Sequence, residues 1–128
     1  MPAVTGNIPA DPSPPLQAVL WWLESLTSLE FEQLSLTMTD DYTHTILPYS
    51  LAQGGLKSKE EIMNRWKTNT QTFHDFSGVV HDIIESSNKI VIHGTSRADT
   101  SRGAYANEYV FHIRFAGRRW ELEDQRMP

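Results

Sequence analysis

The sequence predicts an α+β fold, in which N-terminal helices pack on the concave face of a strongly curved, mainly antiparallel sheet that encloses a pocket. Before Phe73, apolar residues recur at helical spacing, which indicates helices. After Phe76, apolar residues alternate with polar ones, which is typical of half-buried strands. Because the helices precede most of the strands, we expect them to cover one face of a sheet built from sequential hairpins.

The composition is that of one ordinary domain. The chain has 128 residues, enough to bury a sizeable core. Its formal net charge of −5 argues against a protein that binds the phosphate backbone of nucleic acids. It contains no cysteine, which excludes disulfides, thiolate metal sites and a cysteine nucleophile. The N-terminus lacks the features of a secretory signal and no apolar run approaches the ~18 residues of a membrane helix, so we expect a cytoplasmic protein that does not bind membranes.

The N-terminal segment is rich in proline and poor in large apolar residues. We expect residues 1–13 to form a flexible arm, either plain disorder or a strap across a partner subunit. The folded domain is then expected to span residues 14–128. Ser13 is a suitable N-cap for the first helix, and Pro14 is a suitable first helical residue.

Two further helices are predicted from capping signals. Two pairs of residues have the spacing of a capping box, namely Thr27 with Glu30 and Ser58 with Glu61. They predict a short helix to about Met38 and a longer helix to about Phe73. Between these helices, residues 42–47 are predicted to form a short strand, and the following LAQGGLKSKEE segment contains a Gly-Gly loop.

Four segments with period-two alternation follow the helices, and turn residues separate them. They are, in order, FSGVVHDIIES, KIVIHGTSRADT, AYANEYVFHIRFAG and RRWELEDQRM. Asn88 suits a positive φ in the first turn, Gly103 suits a three-residue hairpin loop with a bulge, and Gly117 marks the last turn. The sequence therefore predicts a meander of long antiparallel strands.

This order of elements resembles the NTF2-like, SnoaL-like superfamily. The resemblance covers about residues 15–126 and includes the phrases KSKEEIMNRW, NKIVIHG and YANEYVFHIRFAGRR. It implies a cystatin-type α+β cone that binds a small hydrophobic molecule. It also implies a homodimer paired through the outer face of the sheet, here around Val110, His112 and Arg114. SnoaL-like polyketide cyclases, fungal small-molecule isomerases, scytalone dehydratase and limonene epoxide hydrolase share this fold, which also serves binding proteins and transport factors.

The loop between the second and third long strands decides which of their side chains share a face. With a three-residue loop at 101–103, Thr100 pairs with Ala104. The predicted pocket face then carries His93, Arg97 and Asp99 on the one strand and Tyr105, Asn107, Tyr109 and Phe111 on the other. A four-residue loop would exchange the faces, because a shift of one residue reverses every side chain.

The last strand contributes a carboxylate to the predicted pocket. Alternate residues of this strand are apolar except for Asp124, which is therefore predicted to point inward. An inward carboxylate needs a partner, and Arg97 is the natural one. A buried carboxylate with a raised pKa is suited to general acid or base catalysis near neutral pH. We therefore expect Arg97, Asp99, Asn107 and Asp124 to form a polar cluster at the base of an apolar, aromatic pocket.

The resemblance extends to particular residues. Limonene epoxide hydrolases are similar in carrying an Arg-x-Asp on this strand and an Asp on the last strand, which implies catalytic roles for Arg97, Asp99 and Asp124. The chain departs from that family on the short strand, where His44 and Ile46 stand in place of the family's Tyr and Asn. The structural alternative for Arg97 and Asp99 is an exposed ion pair on a strand.

Other candidate residues are amide, histidine and tryptophan side chains. Asn107, which follows Ala in YANEY, resembles an Asn in the pocket of scytalone dehydratase; the alternative is a buried amide that satisfies the backbone. The five histidines lack metal-binding spacing, so we expect no metal site. His93 is expected to line the pocket and titrate near neutral pH, with a core histidine as the alternative. His44 is expected near the pocket mouth, and Trp66 is the tryptophan expected to reach the pocket.

We therefore predict a cofactor-independent acid–base enzyme that isomerises, cyclises or dehydrates a polyketide or terpenoid intermediate. The predicted catalytic residues are Asp124, Arg97, Asp99 and His93. The predicted substrate-binding residues are Asn107, Tyr109, Trp66, Phe111, His44 and Tyr105. The alternatives are a non-catalytic module of the same fold, for ligand binding or dimerisation, and an epoxide hydrolase.

Overall fold

The computed structural model describes residues 3–47, 55–116 and 119–127, and the side chains of residues 3–45 and 56–114. These residues form three helices and one sheet of seven strands. The helices are α1 (Pro14–Thr27), α2 (Phe31–Leu36) and α3 (Lys59–Asn69). The strands are β1 (Val4–Gly6), β2 (Thr43–Leu47), β3 (Gly55–Ser58), β4 (His74–Glu85), β5 (Lys89–Thr100), β6 (Gly103–Ala116) and β7 (Arg119–Met127). The predicted α+β fold is confirmed.

The sheet is open and has the strand order β1-β4-β5-β6-β7-β2-β3. Its centre is the predicted meander, because β4, β5, β6 and β7 pair antiparallel in succession. Two pairings are parallel, β1 with β4 and β2 with β7. The edge strand β3 pairs antiparallel with β2 and lies in a segment that we predicted only as a loop.

The core lies between the helices and one face of the sheet. Val19, Trp22 and Ile62 are fully buried on the helical side, and Ile92 and Ile113 are fully buried on the sheet. Buried residues on α1 recur at three- and four-residue spacing, as expected for a helix that packs one face on a sheet. Each large apolar side chain buried in this way contributes about 1.5–3 kcal/mol, so this layer supplies most of the driving force for folding.

Two of the three predicted helix caps are confirmed. The Ser13 hydroxyl accepts a 3.2 Å hydrogen bond from the amide of Leu16. Ser58 and Glu61 form both bonds of a capping box, at 3.2 Å to the Ser58 hydroxyl and 3.1 Å to the Glu61 carboxylate. The hydrogen bond from the Ser58 backbone amide, followed by the bond with the Ser58 hydroxyl, lowers the pKa of Glu61.

The predicted capping box of Thr27 with Glu30 is wrong. Thr27 lies in the last turn of α1, and its hydroxyl donates to the carbonyl of Leu23 at 2.7 Å. The next helix begins at Phe31, and its N-cap Glu30 makes no capping bond through its side chain. Helix α3 ends at Asn69, earlier than predicted, because the chain then turns into β4.

The N-terminal segment that we expected to be a flexible arm contains strand β1. This strand pairs in parallel with residues 78–80 of β4. The amide of Ala3 donates to the Glu24 carboxylate at 2.9 Å, and Val4 belongs to the hydrophobic core. Residues 4–6 are therefore part of the sheet.

The loop between β5 and β6 has two residues, Ser101 and Arg102, and the predicted three-residue loop is wrong. Thr100 pairs with Gly103, whose φ of 117° is readily adopted only by glycine. The Thr100 hydroxyl donates to the Gly103 carbonyl at 2.7 Å and accepts from the Arg102 amide at 3.1 Å. The register therefore differs by one residue from the prediction, and the two faces of β5 are exchanged.

Candidate functional site

A cavity of about 290 Å³ lies between the C-terminal ends of α1 and α3 and strands β5 and β6. Its volume is near the lower end of pockets that hold small organic molecules. The described residues that line it are Leu23, Leu26, Thr27, Trp66, Asn69, Thr70, Phe73, Phe76, Ser96, Tyr105, Asn107, Tyr109 and Phe111. Most of these side chains are apolar or aromatic, and none of them carries a charge.

Three aromatic rings form one end of the cavity wall. Phe73 packs against Phe76 and Tyr105, with ring centroids 5.1 and 4.8 Å apart. Between the two phenylalanines, the pairing of β4 with β5 shifts register, and Asp75 has a φ of 54°. This β-bulge allows both rings to line the cavity, although side chains three residues apart on a regular strand point to opposite faces.

The other end of the wall consists of Trp66, Tyr109 and Phe111. The rings of Tyr109 and Phe111 are 4.4 Å apart. Behind them, the fully buried Trp22 packs edge-on against Phe111 at 5.2 Å and against Trp66 at 6.0 Å. Edge-to-face contacts of this kind favour particular ring orientations, so this end of the cavity is a well-defined apolar surface.

Two glycines allow the Tyr109 ring to lie against the sheet. A Cβ atom at Gly94, the residue paired with Tyr109, would be 3.0 Å from Cε2 and 3.1 Å from Oη of the ring. A Cβ atom at Gly78, one strand further, would be 3.6 Å from the same Oη and 3.8 Å from Oγ1 of Thr27. The phenol therefore reaches across two strands to the end of α1.

Five uncharged polar side chains, besides the tyrosines, interrupt the apolar wall. The hydroxyls of Thr27 and Thr70 donate to carbonyls four residues earlier in the chain, at 2.7 and 2.6 Å. The side chains of Asn69, Ser96 and Asn107 form no hydrogen bond with the part of the chain that the structure describes. All three side chains line the cavity, so a molecule bound there would lie against them.

Five of the predicted substrate-binding residues line the cavity, namely Asn107, Tyr109, Trp66, Phe111 and Tyr105. Four of them alternate along β6, as the period-two pattern predicted. Trp66 comes from the inner face of α3. The structure thus brings these five together, and what they bind stays a prediction.

Arg97, Asp99 and His93 lie on the opposite, outer face of the sheet, so their predicted placement in the pocket is wrong. Arg97 and Asp99 are exposed to solvent. Nε2 of His93 is 2.6 Å from a carboxylate oxygen of Glu108, which belongs to the same outer face of β6. The cause is the two-residue loop, which reverses every side chain of β5 relative to the predicted register.

His44 and Asp124 stand apart from the described cavity wall. His44 is fully buried, its Nδ1 lies 2.9 Å from the Tyr42 hydroxyl, and its ring packs edge-on against Trp66 at 5.5 Å. It is not among the residues that line the cavity, so its predicted place in the substrate-binding wall is wrong. Asp124 pairs in backbone register with Phe111, but its side chain lies outside the described residues, and its role stays a prediction.

Ser96 is the cavity residue that the register error concealed. It lies opposite Asn107 and is 6% exposed. The sequence signal that could have found it is the apolar character of the alternate β5 residues Ile90, Ile92 and Ala98, all of which are buried. An inward face with these residues is more apolar than one with an arginine and a carboxylate, and it contains Ser96.

Two other kinds of site are not seen in the described part of the chain. None of its helices is long and apolar enough to cross a lipid bilayer. Within the same ranges, no three His, Asp or Glu side chains come together as possible metal ligands. The cavity is therefore the feature from which a function can be argued.

The chain belongs to the SnoaL-like domain family, which matches residues 19–122. The predicted NTF2-like, SnoaL-like superfamily is thus confirmed. No curated protein matches the chain in sequence.

Several solved structures have the same fold. AusH from Aspergillus nidulans is 20% identical with a TM-score of 0.76, over 89% of this chain and 86% of that chain. A putative SnoaL-like polyketide cyclase from Shewanella denitrificans OS-217 is 14% identical with a TM-score of 0.76, over 90% and 92%. BvnE pinacolase from Penicillium brevicompactum is 19% identical with a TM-score of 0.72, over 84% and 80%. At these identities the likeness shows the fold alone.

Proposed function

We propose that this protein is a cofactor-independent acid–base enzyme that isomerises, cyclises or dehydrates a small hydrophobic metabolite, such as a polyketide or terpenoid intermediate. The observation that carries the proposal is the aromatic cavity with the Asn107 carboxamide and the Tyr109 phenol in its wall. Such a cavity shields a bound ketone from water and offers hydrogen-bond donors to its oxygen. Both effects favour removal of a proton from the carbon beside the carbonyl.

The proposed general base is Asp124, whose backbone pairs with the cavity residue Phe111. Its carboxylate takes a proton from the carbon beside the carbonyl, and the electron pair of the broken C–H bond forms an enolate. Asn107 donates a hydrogen bond to the enolate oxygen, and Tyr109 helps to orient the carbonyl group. Return of the proton to another carbon completes an isomerisation. Alternatively, the protonated Asp124 gives its proton to a departing β-hydroxyl, which leaves as water as the enolate forms the C=C bond of a dehydration product. In a cyclisation the enolate carbon attacks a second carbonyl, and the same proton goes to the resulting alkoxide.

The similar structures support this class of chemistry. One of them is a putative polyketide cyclase and another is a pinacolase. We extend to this chain only the general class, which is acid–base chemistry on a small oxygenated carbon skeleton.

Proton exchange measures the proposed chemistry without the physiological substrate. 2-Tetralone is a neutral aromatic ketone with acidic hydrogens beside its carbonyl, and its deuterium uptake from D₂O can be followed by NMR. The wild-type protein is expected to accelerate this uptake. Asp124→Asn is expected to abolish the acceleration while the affinity for 2-tetralone stays within about tenfold, because the base acts in the transition state.

The matched control for this experiment is Asp82→Asn, at an exposed carboxylate of β4. It is expected to keep the full rate of exchange. Exchange that survives Asp124→Asn would contradict the role of Asp124. Binding of 2-tetralone without any acceleration by the wild type would contradict the enzyme proposal.

A non-catalytic ligand-binding module is the second candidate function. One observation favours it: the described lining contains no carboxylate, histidine, lysine or arginine that could move a proton. In this case the protein would bind 2-tetralone, and exchange would proceed at the rate in buffer. Epoxide hydrolysis is not carried further, because Arg97 and Asp99 face away from the cavity.

We also propose that two copies of the chain pair through the outer face of the sheet. Val79 and Ile84 are 37% and 60% exposed on this face, beside the half-buried Val110. Burial of such side chains against a second copy would be favourable. Light scattering is expected to give the mass of a dimer for the wild type and of a monomer for Ile84→Lys. Leu36→Lys, at a 76% exposed residue of α2, is the control and should remain dimeric; a monomeric wild type would contradict the proposal.

A further inference from the structure

The cavity-facing side of β5 carries small residues. Three successive residues on this side are small and buried, namely Gly94, Ser96 and Ala98. Their partners on β6 are larger, namely Tyr109, Asn107 and Tyr105. The Tyr109 ring covers Gly94, and Ser96 is the one of these three β5 residues that lines the cavity.

One pair of residues in the cavity wall is able to hydrogen-bond with a ligand. Ser96 lies directly opposite Asn107, and both side chains line the cavity. Ser96 is 6% exposed, yet neither side chain hydrogen-bonds with any residue in the described ranges. Neither residue is among the described ones with a fully buried, unpartnered side-chain polar atom, so both polar groups are reached from the cavity, where a ligand can hydrogen-bond with them.

We propose that Ser96 and Asn107 together bind one oxygen atom of an uncharged, flat ligand that lies in the cavity, an inference that rests on the proposed function of the cavity. A hydroxyl and a carboxamide can each donate and accept, so the pair suits a carbonyl or hydroxyl oxygen. Tyr105 and Tyr109 flank the pair on β6 and favour an aromatic or unsaturated ring beside that oxygen. A carboxylate or phosphate would lose its hydration without meeting a cationic side chain in the described lining.

The inference is tested with two ligands of similar shape, one with the oxygen and one without it. 2-Tetralone carries a carbonyl, tetralin is the corresponding hydrocarbon, and both affinities are measured by quenching of tryptophan fluorescence. Ser96→Ala and Asn107→Leu are each expected to weaken 2-tetralone binding about two- to tenfold, the usual effect of one hydrogen bond. Neither variant is expected to weaken the binding of tetralin.

The matched control is Thr95→Ala. Thr95 is adjacent to Ser96, but its hydroxyl lies on the outer face, 3.0 Å from Nε2 of His81. This variant is expected to bind both ligands as the wild type does. Thermal unfolding verifies that both test variants are folded before the affinities are measured.

The outcomes distinguish this inference from the proposed function. Unchanged 2-tetralone affinity in both variants, or an equal loss for both ligands, would overturn the assignment of Ser96 and Asn107 and leave the function of the cavity intact. Failure of the wild type to bind either ligand would contradict the proposed function, and the inference with it.

Discussion

Gly94→Ala tests whether the Tyr109 ring rests on the sheet because β5 has no side chain at this position. The added methyl group would lie 2.9 Å from the Val79 carbonyl oxygen and 3.0 and 3.1 Å from Cε2 and Oη of Tyr109. Favourable contacts between such atoms are about 3.5–4.0 Å, so the ring or the neighbouring strand must move. Overpacking of this kind costs about 1–3 kcal/mol. For a chain of this length the corresponding fall in Tm is about 4–12 °C.

Thermal unfolding followed by tryptophan fluorescence measures this loss. Gly78→Ala is the matched control, because the nearest atom to its methyl group is 3.6 Å away, and its stability should stay within about 0.5 kcal/mol of the wild type. Tyr109→Leu removes both ring atoms near Gly94, so a double-mutant cycle should give a coupling of about 0.5–2 kcal/mol. Wild-type stability of Gly94→Ala, or additive effects in the cycle, would refute the reasoning.

Three further predictions concern local structure and are measured by chemical unfolding. Ser58→Ala should cost about 0.5–2 kcal/mol at pH 7 by loss of the cap. The folded-state pKa of Glu61 lies below its ordinary value of 4.5, so the contribution of Glu61 to stability is present above pH 4.5 and is lost as pH falls through the lowered pKa. The loss of stability in Ser58→Ala should therefore shrink in acid, and a loss that stays constant with pH would argue against this role of the capping box. Tyr42→Phe should cost about 1–3 kcal/mol, because it removes the buried hydrogen bond to His44, and an unchanged midpoint would count against that bond. Asp75→Val should cost about 1–2 kcal/mol at its φ of 54°, whereas Asp75→Gly should be nearly neutral, and equal effects would exclude backbone strain as the cause.

The elements that were predictable from the sequence depend on local signals. Ser13 and Ser58 fix the starts of α1 and α3 through hydrogen bonds to residues three positions ahead. The long strands carry enough alternating residues to be recognised individually. Strands β1 and β3 have three and four residues, which is too short for a periodic pattern, and their pairing depends on distant strands.

The candidate site was predictable on β6 and not on β5, for a physical reason. The aromatic alternation on β6 identifies its inner face without reference to any neighbour. On β5 the inner face depends on whether Gly103 is a loop residue or the first residue of β6, and a glycine suits both. That one residue decides whether Arg97 or Ser96 faces the cavity.

The most direct test of the central claim is a crystal structure of the protein with 2-tetralone bound. We predict that the ligand lies in the cavity between Trp66 and Tyr105. Its carbonyl oxygen is expected within about 3.2 Å of Ser96 or Asn107, with Arg97 on the far side of the sheet. A ligand bound beside Arg97 on the outer face, with the cavity filled by Trp66, would contradict both the register and the site.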